Sequence, residues 1–131
     1  MAADRDRPLS PHLQVYKLPL NGLLSISHRL TGLVISLGAV GVVVMLVTAA
    51  SGSQTYQSFH AASYHWLGQV ILVAFTLALY YHLCAGVRHL FWDAGYGYDL
   101  KSAQIGSWLV MIGAVVLTAL TWLAAISASG G

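Results

Sequence analysis

Charge is what this sequence has least of. Of 131 residues, four are acidic and six are lysine or arginine, 8% in all, whereas a soluble domain carries about 25%. That scarcity excludes a soluble catalytic domain. It also excludes nucleic acid as a partner, because the basic residues are too few and too scattered to form an electrostatic footprint. A formal charge of +2 does not change this. The single cysteine, Cys84, excludes an intrachain disulfide and leaves the redox compartment unreadable from cysteine pairing. Residues 1–24 hold no apolar run of the kind a cleaved secretory signal needs, so this polar start is expected to stay attached on the side where translation occurs. There is no internal repeat and no low-complexity tract.

What remains is apolar: 57% of the residues are hydrophobic and the mean hydropathy is +0.70. One bilayer crossing needs about 20 largely apolar residues, so the chain has room for three crossings and little else. The pattern predicts an all-α membrane protein, a single membrane-anchor domain with three transmembrane helices over about 25–50, 65–92 and 105–126. Asn21 and Ser25 are candidate caps for a helix starting near Leu23, with the apolar part proper beginning at Leu30. The uncharged stretch 51–64 reads as a loop. Between the second and third spans, Gly95 and Gly97 read as helix breakers, and Trp108 and Trp122 flank the third span as interfacial anchors often do. Gly32, Ser36 and Val40 stand at intervals of four and predict a groove through which a helix or flat ligand approaches the backbone.

All the lysines and arginines, Arg5, Arg7, Lys17, Arg29, Arg88 and Lys101, precede the first span's apolar part or lie at the second connection. The positive-inside rule then predicts a cytoplasmic N-terminus and a periplasmic C-terminus, or a matrix-facing N-terminus in a mitochondrion.

This topology brings the start of span one and the end of span two to one membrane face, placing Ser25, Ser27, His28 and Arg29 near Arg88, His89 and Asp93. A lone arginine there would be a topogenic charge snorkelling to headgroups; clustered with histidine and serine, it reads as a cation awaiting an anion. His82 lies inside the second span, where an ionisable side chain is costly and marks function by default. It is about 10 Å deeper than His89 and on the same helix face. Ala78, Ala85 and Gly86 flatten the surrounding strip, along which a planar macrocycle with iron at His82 and propionates toward His89, Arg88 and Arg29 would lie. The competing reading is a histidine hydrogen-bonded to a neighbouring helix. His65 is about 25 Å away along the same helix, His60 is in the opposite loop, and His28 is expected nearer the surface, so the second axial ligand is expected from another polypeptide. Met45 and Met111 are possible ligands, but methionine in an apolar span is more often packing. Ser25 and Arg29 share a helix face and read either as the hydroxyl and fixed cation that quinone reduction asks for or as an N-cap followed by a headgroup anchor.

RPLSPHLQVY at 7–16, SISHRLTG at 25–32 and HLCAGVRHLFWD at 82–93 together resemble the cytochrome b556 family of succinate dehydrogenase, the larger membrane anchor of respiratory complex II. The resemblance implies a three-helix anchor paired with a second membrane-anchor subunit and bound to an iron–sulfur subunit and a flavoprotein subunit. Electrons from succinate would pass through FAD and iron–sulfur clusters to ubiquinone. His82 falls on the axial ligand of haem b, with the other axial histidine on the second anchor. Ser25 and Arg29 fall on the quinone pocket, while His28, Arg88 and His89 fall near the propionates or that pocket. The expected location is a bacterial inner membrane, with the mitochondrial inner membrane as the alternative. Other readings are an anchor for quinol:fumarate reduction and a non-catalytic membrane scaffold. A self-contained di-haem cytochrome would need further axial ligands across the bilayer, and the third span has no histidine.

Overall fold

Three long helices and one short one make up the computed structural model, which describes residues 17–130. Arg5, Arg7 and the motif at 7–16 lie outside the described residues. The helices are α1 (Leu20–Ala50), α2 (Ser53–Tyr64), α3 (Trp66–Asp93) and α4 (Leu100–Ser129). Three of them, α1, α3 and α4, are long and apolar enough to cross a membrane. At about 1.5 Å per residue each exceeds a hydrocarbon core of about 30 Å, so their ends project into the polar layers or the helices tilt.

α1 begins earlier than its apolar pattern suggests. Pro19 is its N-cap residue with extended backbone, which leaves Asn21 and Ser25 inside the helix rather than capping it. The stretch 51–64, expected as a loop, is mostly helix. Gly52 turns the chain at φ 116° and α2 then runs back across the ends of α1 and α3. The elbow to α3 is tight. Gln69 Nε2 donates to the Ser63 carbonyl at 3.1 Å, and a Cβ on Gly68 would collide with the carbonyls of Ala62 and Ser63. His65 is a cap, its ring accepting from Leu67 N at 3.4 Å.

α3 stops in a Schellman turn, with Gly95 N–H on the Trp92 carbonyl and Tyr96 N–H on that of Phe91. Gly95 takes the positive φ of 88° that this turn requires. Asp99 then caps α4, accepting from Ser102 N at 2.9 Å.

α3 is the centre of the bundle, with α4 on one side and α1 on the other. The buried face of α4 is Ala103, Ser107, Val110, Ala114 and Thr118, small residues that let two backbones approach without large side chains between them. Leu24, Ala85 and Val110 form the core where α1, α3 and α4 meet. On the α1 side the notches are glycines: the Phe75 ring fills the space a Cβ on Gly38 would take. Apart from Leu24, no residue of α1 is buried within the chain, so most of its apolar surface faces outward.

Candidate functional site

Interhelical contact at the Asn21 end of α1 and the Asp93 end of α3 sorts the expected site residues into two groups. The first is a column of imidazoles across the α1–α3 seam. The His28 ring stacks on that of His82 with centroids 4.1 Å apart and planes 18° apart. His89 lies 5.0 Å from His28 and sets its edge on Trp92 at 5.2 Å. His28 is therefore level with His82 and not well above it, as the sequence predicted. Its ring Nε2 is buried without a hydrogen-bond partner among the described residues, a state that costs about 1–3 kcal/mol unless something pairs with it.

His82 is held by α1. Its Nδ1 lies 3.1 Å from the main-chain carbonyl oxygen of His28 and 3.3 Å from Thr31 Oγ1. A carbonyl oxygen only accepts, so the contact to His28 puts the proton on Nδ1 and leaves the lone pair on Nε2. Gly32 makes the approach possible: a Cβ there would come within 3.1 Å of the His82 Cε1. The predicted groove at Gly32 is thus occupied by an imidazole of the same chain, and Ser36 turns its hydroxyl back to the Gly32 carbonyl at 2.9 Å.

The second group gathers around Arg88, which the sequence placed near the propionates or the quinone pocket. Instead the side chain turns toward α4, only 9% exposed. Nη2 donates to Asn21 Oδ1 at 2.8 Å and to the Ala103 carbonyl at 3.3 Å, and the guanidinium lies 4.1 Å from the centre of the Trp92 ring. Ser107 donates to the same Asn21 oxygen at 2.6 Å. The cause is helical phase. Arg88 is six residues from His82, about a third of a turn off the histidine face, whereas the seven-residue step to His89 nearly restores it. Ala85 is likewise corrected: it is 3% exposed, packed with Leu24 and Val110, and offers no surface to a macrocycle. Gly86 does face the imidazoles, with His28 Nε2 3.9 Å from where its Cβ would be.

Ser25 is half-buried and Arg29 exposed on α1, with Asp93 exposed at the end of α3. His60 stacks on Tyr64 within α2 at 4.4 Å. Met45 lines a cavity of about 780 Å³ between α1, α2 and α3, about 20 Å along α1 from Gly32. Neither belongs to the imidazole column. The residues missed by sequence reasoning are Asn21, Thr31 and Ser107. All three are polar side chains in or beside apolar spans, and that cost is the signal that would have found them.

The haem implied by the sequence motifs fits these donors. A haem histidine needs a neutral ring with a free lone pair and a fixed orientation, and His82 has its Nδ1 proton engaged and its Nε2 available. The His28 Nε2 beside it, without a partner among the described residues, can donate or accept a hydrogen bond. Comparison with known proteins agrees in kind. Residues 3–121 match the family model described as Succinate dehydrogenase/Fumarate reductase transmembrane subunit. The chain is 45% identical to the succinate dehydrogenase cytochrome b556 subunit of Paracoccus denitrificans over 88% of this chain and 89% of that one. It is 39% identical to the subunit of the same name from Rickettsia felis over 89% and 91%. A succinate dehydrogenase cytochrome b560 subunit of Reclinomonas americana is 35% identical over 90% and 85%.

Proposed function

Because the chain belongs to the succinate dehydrogenase/fumarate reductase transmembrane subunit family, we propose that it anchors a succinate:quinone oxidoreductase and holds haem b with a second membrane-anchor subunit. It lies in the bacterial inner membrane with its N-terminus cytoplasmic. An iron–sulfur subunit and an FAD-bearing flavoprotein dock on that face, and electrons from succinate reach ubiquinone there. The observation that carries this reading is His82, with Nδ1 engaged by α1 and Nε2 left for iron.

Bound there, haem b would supply a one-electron store. This chain's own residues do the rest. His82 would hold the iron through Nε2, and the partner anchor would supply the other ligand. The buried Nε2 of His28 would be available to a propionate, and His89 would line the polar exit. Arg88 braces the three helices in place of holding a propionate. Ser25 donates its hydroxyl to a quinone carbonyl, and Arg29, whose charge deprotonation cannot remove, stabilises the negative charge that reduction places on that oxygen. The relatives are named for succinate oxidation, which favours that direction over fumarate reduction within a family described by both. Native purification tests the assignment: the chain is expected to bring three other subunits with it and to be red. A colourless preparation would leave only the scaffold.

A further inference from the structure

Thr31 lies one helical turn beyond His28, and its hydroxyl has three oxygen or nitrogen neighbours. Its Oγ1 is 2.9 Å from the Ser27 carbonyl, 2.9 Å from the His28 carbonyl and 3.3 Å from His82 Nδ1. The hydroxyl has one proton to give, and carbonyl oxygens can only receive it. The proton therefore points back into α1, while His82 Nδ1, already protonated by its contact with the His28 carbonyl, faces an oxygen lone pair of Thr31. The carbonyl, the hydroxyl and the Gly32 notch bound one edge of the His82 ring.

We propose that Thr31 is a positioning residue for His82: its hydroxyl and the His28 carbonyl share the Nδ1 proton, fixing the tautomer and ring orientation and increasing the electron donation of Nε2 to iron. This rests on His82 being the haem ligand. A second acceptor on the Nδ1 proton gives the imidazole more anionic character, which favours ferric over ferrous iron. α1 thereby tunes a ligand carried by α3.

The test uses the purified whole complex with Thr31→Val, which keeps the branched shape and loses the hydroxyl, and Thr31→Ser, which keeps the hydroxyl. Each is read by haem content, low-temperature electron paramagnetic resonance and redox titration. Thr31→Val is expected to raise the haem midpoint potential and shift the ferric signal, or to release haem, while Thr31→Ser stays near the parent. An unchanged potential and signal in Thr31→Val overturns the proposal. So does equal disturbance in both variants, which assigns the effect to packing at this position and not to the hydroxyl. Failure of the ligand assignment itself looks different, since His82→Ala would then keep the parent spectrum whatever Thr31 does.

Discussion

Arg88 Nη2 donates to Asn21 Oδ1 across the α1–α3 interface at 2.8 Å, and the Ser107 hydroxyl of α4 donates to the same oxygen at 2.6 Å. One amide thus joins three helices. Removing it with Asn21→Leu takes the shorter acceptor from Arg88 and leaves the Ala103 carbonyl to serve both Arg88, at 3.3 Å, and Ser107, at 2.8 Å; a lost hydrogen bond to a charged group costs about 1.5–3 kcal/mol. The variant complex is expected to melt earlier, with Arg88→Ala costing at least as much through lost packing. Thermal unfolding of the purified complex, followed with the haem spectrum, checks this. A melting temperature equal to the parent's in Asn21→Leu would show that the joint is dispensable.

Gly68 controls the elbow between α2 and α3. Because a Cβ there meets the Ala62 and Ser63 carbonyls, backbone that cannot rotate aside, Gly68→Ala is expected to lift α2 from the bundle. Protease accessibility of 53–64 in membranes is the readout. Cleavage no faster than in the parent would contradict the packing.

Much of the architecture was legible because long apolar runs have one economical solution in a bilayer. α2 was not. Its serines, glutamines and aromatics carry no clear periodic apolar face, so only the geometry of Gly52 and Gly68 reveals a helix. His28 was misplaced in depth for a different reason: depth was read from the apolar pattern, which starts at Leu30, and that pattern does not say how far α1 is shifted along α3, which the stack of His28 on His82 sets. Arg88 turns to Asn21 and the Ala103 carbonyl and away from the histidine face, because residues close in sequence need not share a face. His82 and His89 do share one, and simple helical phase was enough to pair them.

Asp99 caps α4 outside the spans. Its carboxylate accepts from the Ser102 backbone N–H and, secondarily, the Ser102 hydroxyl, which holds it below the usual carboxylate range. A native value below the unfolded one means that the cap contributes fully above about pH 3.9 and is lost as pH falls through the native value. Protection against hydrogen exchange in the first turn of α4, taken relative to the intrinsic rate at each pH, should therefore fall on acidification in the parent. Asp99→Asn, which caps without titrating, should remove that pH dependence. Identical pH profiles in the two would refute the cap.

Arg29 is exposed on α1 and makes no contribution to the buried core. Arg29→Ala is expected to lower succinate:quinone reductase activity by tenfold or more, with succinate oxidation by a soluble artificial acceptor largely intact. An equal loss of both activities would point to failed assembly instead of a quinone-site role.

His82 is the residue on which the functional reading stands. The most direct measurement is the reduced-minus-oxidised optical spectrum of the purified complex carrying His82→Ala, at matched protein. The b-type haem bands are expected to vanish or fall severalfold while the other subunits remain bound. Bands of parent position and intensity would mean that the iron is held elsewhere.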